Sequence, residues 1–75
     1  MKPLIEYLAR AIAKRPDDVV VEEEWYGDRV VLRLFVADED KGRVIGRDGR
    51  IANSMRSLLH VAATRQGVRA SLDIE

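Results

Sequence analysis

Two glycines three residues apart, Gly46 and Gly49, lie inside the run Lys41-Gly42-Arg43-Val44-Ile45-Gly46-Arg47-Asp48-Gly49-Arg50-Ile51, and a long segment of helical apolar periodicity follows them. Glycine at these positions lets the backbone take angles, and approach other groups, in ways a Cβ forbids. A helix starting just after Gly49 turns its unpaired N–H groups and the positive end of its dipole toward the loop, which then suits an anion. Arg47, projected from the tip, adds a planar fork matched to a phosphate. The local physics describes a place to hold a backbone phosphate. An ordinary turn also uses two glycines, so the loop gains meaning only from what flanks it.

The flanks carry the charge. The 75 residues sum to zero net charge, which taken globally argues against a nucleic-acid partner. The distribution differs. Residues 17–40 sum to −7, from nine acids against Arg29 and Arg33, whereas residues 41–56 sum to +4, from Lys41, Arg43, Arg47, Arg50 and Arg56 against Asp48. Positive charge therefore gathers on the glycine loop. A solvated face that happens to be basic is the plainer reading of the same pattern.

Length and composition bound the rest. The chain has room for one domain, spanning 1–75, with a modest core near the lower limit of independent stability. Hydrophobic residues at 47% and charged residues at 35% exclude a disordered chain. No apolar run approaches the roughly 20 residues of a membrane span, and no signal-peptide pattern is read, so neither a membrane nor export is expected. The absence of cysteine excludes a disulfide or a zinc-thiolate site and fits a cytoplasmic location. One histidine and no Gly-Lys-Ser/Thr phosphate loop leave no acid/base constellation, so neither an enzyme nor a cofactor is expected.

Taken in order, Leu4, Ile5, Leu8 and Ile12 predict an amphipathic helix from residue 3 to about 15, with Lys14 and Arg15 at its negative end and Pro16 as its stop. Two strand-like runs follow, Val19–Trp25 and Arg29–Val36. A two-residue turn at Gly27-Asp28 would pair Trp25 with Val30, Val21 with Leu34 and Val19 with Val36 on one face. Glu22 then faces Arg33 as a solvent pair, while Glu23 falls on the apolar face opposite Leu32. Either the turn is longer or that strand end frays.

Ala37–Asp40 reads as a loop and N-cap leading to a short helix through Ile45. A long helix is expected from Arg50 to about Arg65, capped by Gly67, with Ile51, Met55, Leu58, Leu59 and Ala62 as its core stripe. Ala52, Val61 and Ala63 extend its apolar character beyond one face, as either a small-residue surface or a second contact. Val68, Ala70, Leu72 and Ile74 alternate as a last strand, and the two-helix crossover before it makes that strand parallel to the second. The expected fold is α+β, with a three-stranded mixed sheet covered on one face by helices.

With these elements in place the chain resembles the KH RNA-binding domain. Val44-Ile45-Gly46-Arg47-Asp48-Gly49-Arg50-Ile51 matches that family's Val-Ile-Gly-x-x-Gly signature between two helices. The order helix-strand-strand-helix-helix-strand resembles its type II form, and the length resembles the small single-domain bacterial proteins of the KhpA type. The resemblance implies a groove for about four unpaired nucleotides of single-stranded RNA, their backbone clamped by the glycine loop. It also implies a post-transcriptional regulator or RNA chaperone that pairs with itself or with a second KH-containing protein. Carried over, Gly46 and Gly49 admit the phosphates, Arg47 and Asp48 are the variable positions, and Val44, Ile45 and Ile51 floor the groove. Lys41, Arg43 and Arg50 add attraction by the charge argument alone.

Two departures bear on affinity. Many KH domains have isoleucine where Ala52 stands, and Asp48 brings a negative charge into the anion site. Asp48 is read here as a cap for the long helix. Both departures favour weak, loosely selective binding. The rival reading is a subunit whose main work is dimerisation, through Met55, Leu58, Val61 and Ala62 of the long helix. The sheet face bearing Val20, Val31 and Phe35 is the competing surface for that contact.

Overall fold

Val30, Leu32 and Leu34 alternate with Arg29, Val31 and Arg33, so a strand through them has one greasy side and one wet side. In the computed structural model, which describes residues 1–75, that strand is the centre of the sheet. The elements are helix α1 (Lys2–Ile12), strands β1 (Val20–Tyr26) and β2 (Arg29–Phe35), helices α2 (Lys41–Ile45) and α3 (Arg50–Arg65), and strand β3 (Arg69–Ile74). Short 3₁₀ turns occupy Pro16–Asp18, Asp38–Asp40 and Arg47–Gly49. The sheet order is β1-β2-β3, with β1 antiparallel and β3 parallel to β2. The fold is α+β as expected, and no helix is long and apolar enough to cross a membrane.

The hairpin has the expected register: Trp25 opposite Val30, Val21 opposite Leu34, Glu22 opposite Arg33. Glu23 does lie opposite Leu32, yet it is exposed. The turn is not lengthened. β1 is an edge strand, and within it only Val21 is buried, next to the buried Val19 just before the strand begins. Arg33 bonds diagonally to Glu24, at 2.7 Å, rather than to the Glu22 it faces. That bond draws the Glu24 carboxyl below its usual range and raises the Arg33 guanidinium.

The core joins Val30, Leu32 and Leu34 to Ile5 and Ala9 of α1, Val44 of α2, Met55 and Leu59 of α3 and Leu72 of β3. The line of α3 that faces inward is Ala52, Met55, Leu59 and Ala63, all buried. Leu58, expected in the core stripe, is instead 49% exposed. Apolar residues span so much of this helix that periodicity alone does not say which arc meets the sheet. Packing chose the line running through two alanines. At its far end Gly67 N–H donates to Thr64 O and Val68 N–H to Ala63 O, the paired bonds of a Schellman cap.

α1 ends three residues sooner than the composition predicts. Ala13 is already extended, and the N–H groups of Lys14 and Arg15 donate to Oδ1 and Oδ2 of Asp40, each at 3.0 Å. Asp40 is wholly buried. It was expected within an N-cap loop, but its side chain makes no capping bond to α2. Its two oxygens instead fasten the end of α1 to the start of α2, and so set where α2 and the glycine loop stand.

Candidate nucleic-acid interface

α2 stops at Gly46, whose backbone (φ 77°, ψ 172°) lies in a region essentially closed to residues with a side chain. Arg47–Gly49 forms one tight turn, and Gly49 (φ 76°, ψ 13°) hands the chain to α3. Gly46 N–H donates to Gly42 O at 2.9 Å and Gly49 N–H to Gly46 O at 3.1 Å. Neither glycine therefore keeps its own N–H for a phosphate. What the pair supplies is shape, with Ile51 packed directly over Gly46.

Asp48 does not cap α3. The residue at the cap position is Gly49, and no side chain bonds the first turn of the helix. Asp48 instead sits in the left-handed region (φ 57°, ψ 24°), which aspartate tolerates better than most residues. Its carboxylate is left exposed on the loop, where its charge opposes that of the neighbouring arginines.

The basic residues divide into two sets. Lys41 pairs with Asp38 at 3.3 Å and Arg43 lies 3.9 Å from Asp40, so the acidic turn before α2 offsets much of their charge. Arg47 and Arg50 are exposed and have no carboxylate partner. Of the five cations in the +4 segment, Arg47, Arg50 and Arg56 thus keep their charge unpaired, and of these Arg47 and Arg50 sit at the glycine turn itself. Asp40 itself is held below the usual carboxylate range, chiefly by the Lys14 N–H. The Arg15 N–H and the Arg43 charge act in the same direction, and burial opposes them.

The expected apolar floor is only partly available. Val44 is fully buried in the core and cannot touch a base. Ile45 is 39% exposed and Ile51 half-buried, so these two remain. Of the four residues expected at a dimer contact, Met55 is likewise a core residue and drops out. Leu58 and Val61, 49% and 51% exposed, sit one turn apart on α3 beside the half-buried Ala62.

Two polar residues of α3 escaped the sequence reading, which counted Arg56 only as charge. Asn53 Nδ2 lies 3.7 Å from where a Cβ on Gly49 would stand. Arg56 Nη1 donates to Asn53 Oδ1 at 3.3 Å, and Arg56 Nε to Leu72 O at 3.2 Å. A polar track thus leaves the loop and crosses to β3, the edge strand opposite β1. The signal in the sequence was the spacing 49, 53, 56, one face of a helix.

A three-stranded mixed sheet backed by helices, with a Gly-x-x-Gly turn joining α2 to α3, defines a KH domain. The family model described as the KhpA/KhpB KH domain matches residues 2–74, and the chain belongs to that family. Similar proteins include the RNA-binding protein KhpA of Halalkalibacterium halodurans, 45% identical over 99% of this chain and 97% of its own length. The RNA-binding protein KhpA of Treponema pallidum is 44% identical over 95% of this chain and 89% of its own length. Among solved structures, Aquifex aeolicus Era bound to GDP.AlF4- superposes with a TM-score of 0.65 at 13% identity, over 97% of this chain and 28% of that one. That likeness concerns the fold only. The KH family is not an enzymatic one.

Proposed function

We propose that this chain binds short stretches of single-stranded RNA, with the backbone held at the Arg47–Gly49 turn and the bases laid along α3. The observation that carries the reading is the pair of exposed cations without carboxylate partners, Arg47 and Arg50, at the two ends of a turn framed by the positive-φ glycines Gly46 and Gly49. The relatives' common name, RNA-binding protein KhpA, supports the same ligand. The role that follows is a cytoplasmic RNA chaperone or post-transcriptional regulator with weak, broad affinity, since Asp48 repels part of what the arginines attract.

The test is Arg47→Asp. Beside Asp48 it sets two carboxylates where a phosphate belongs, at an exposed site where the fold has nothing to lose. RNA binding should vanish while the thermal unfolding curve stays in place. Unchanged affinity in the folded variant would sink the reading.

A second reading has its own observation. Leu58 and Val61 leave an apolar strip in solvent on α3, which favours a dimer, either of this chain or with a second KH protein. A dimer would hold two weak grooves on one RNA and raise their effective concentration, so the two readings support one another.

A further inference from the structure

Arg29, Val31 and Arg33 alternate with the core residues of β2, so they lie on the sheet face turned away from the core. In register, Tyr26 of β1 stands opposite Arg29, and Arg29 stands opposite Arg69 of β3. The three make one row across the hairpin end of that face, and all are exposed, Tyr26 at 54%. Neither arginine lies within ion-pairing distance of a carboxylate, that of Asp28 in the adjoining turn included. Two like charges directly opposite one another destabilise a sheet, and neighbouring strands run only about 4.8 Å apart. Their placement is firm, because Arg69 N–H donates to Asp28 O at 2.9 Å and ties the start of β3 to the turn.

The rest of the face is neutral or acidic. Glu24 is taken up by Arg33, and Glu22, Asp73 and Glu75 lie toward the other end of the strands. Unpaired positive charge is therefore confined to the row that also carries an aromatic ring. After the Glu24–Arg33 bond itself, the Tyr26 hydroxyl is the next influence holding the Glu24 carboxyl low and the Arg33 guanidinium high. The ring thus lies along the face rather than standing off into solvent.

Paired cations beside a ring suit single-stranded nucleic acid, whose phosphates the charge attracts and whose bases stack on aromatic side chains. The location suits a strand already held at the glycine turn. α3 carries 16 residues, about 24 Å of helix, and Arg69 lies just past its C-terminal end. It stands on an edge strand, over which an RNA can pass to the outer face.

We propose that Tyr26, Arg29 and Arg69 form a second RNA contact, which receives the phosphates and a base of a strand running beyond the groove at the glycine turn. This inference rests on the single-stranded RNA reading and adds a length requirement to it. A tetranucleotide fills the groove and stops short of the row, whereas a longer strand meets both.

The experiment measures affinity for a uridine tetranucleotide and a uridine dodecanucleotide over a range of salt. The native chain is compared with the double variant Arg29→Gln, Arg69→Gln, with Tyr26→Leu, and with Lys2→Gln, Arg10→Gln, which removes the same charge from α1. The arginine double variant should bind the tetranucleotide within about twofold of native. For the dodecanucleotide it should lose roughly tenfold at low salt, with a log–log slope shallower by about 1.4, from two phosphates at roughly 0.7 each. Tyr26→Leu should lower dodecanucleotide affinity by about fivefold or more and leave the slope unchanged, since stacking releases no counterions. Removing the opposed charges should leave the melting temperature level or raise it. In the native chain, the Nε resonances of Arg29 and Arg69 should shift with the dodecanucleotide and not with the tetranucleotide, a readout that needs no variant.

Equal losses for both lengths, or the same loss in the α1 variant, would show a general effect of charge and overturn this inference. So would a change in sedimentation of the RNA-free arginine variant, which would mean that the row meets acids of another protein copy. Each of these leaves RNA binding at the glycine turn intact. Failure of the native chain to bind either strand overturns both readings.

Discussion

A Cβ placed on Gly46 would stand 2.7 Å from Cγ1 of Ile51 and 3.0 Å from its backbone nitrogen. The near atoms belong to the β-branched side chain of Ile51 and to the backbone at the start of α3, and neither yields cheaply. Gly46→Ala should therefore destabilise the fold by about 1–3 kcal/mol, combining the overlap with a backbone region closed to alanine. Gly49→Ala meets only Asn53 Nδ2, at 3.7 Å, and should cost about 1 kcal/mol for its left-handed backbone. Denaturant melts of the two variants check the order, and equal losses would contradict it.

On the proposed reading, the ionic-strength dependence of RNA binding counts the phosphates held at the glycine turn. About three contacts on a single strand give a log–log slope near −2, at roughly −0.7 each. A slope indistinguishable from zero would mean that Arg47 and Arg50 are not the contact. Duplex RNA should compete poorly, because its bases are not splayed for a groove.

Asp40 makes acid stability specific. Its carboxyl is more acidic folded than unfolded, so its contribution is complete above the unfolded value, about 3.9, and is lost as pH falls through the folded one. Asp40→Asn keeps one acceptor and turns an amide toward an N–H of Lys14 or Arg15. The variant should melt well below the native chain at neutral pH, and the gap should narrow below about pH 4. A gap constant across that range would show that the charge is not what ties α1 to α2.

Leu58 and Val61 give the dimer reading its test. The unmodified chain should sediment as a dimer at tens of micromolar, since each Å² of apolar surface covered contributes about 25 cal/mol. Val61→Asp, at an exposed position, should leave the fold intact and yield a monomer. It should also weaken binding to long RNA more than to a tetranucleotide. A monomeric native protein would count against self-association directly.

Much of this protein was written in short-range pattern. The alternation around Leu32, the two-residue turn at Gly27-Asp28, the Gly67 cap and the Gly-x-x-Gly turn depend on residues near one another in sequence, so spacing alone determined the elements, the hairpin register and the place of the loop. The tertiary structure decided whatever required contact across the chain. Asp40 binds N–H groups 25 and 26 residues away, and Arg56 reaches a carbonyl 16 residues on; neither partner can be inferred from local periodicity. The same holds for which arc of α3 faces inward. Its apolar residues cover most of the circumference, so only packing against the sheet could bury Met55 and Ala52 and leave Leu58 and Val61 outside.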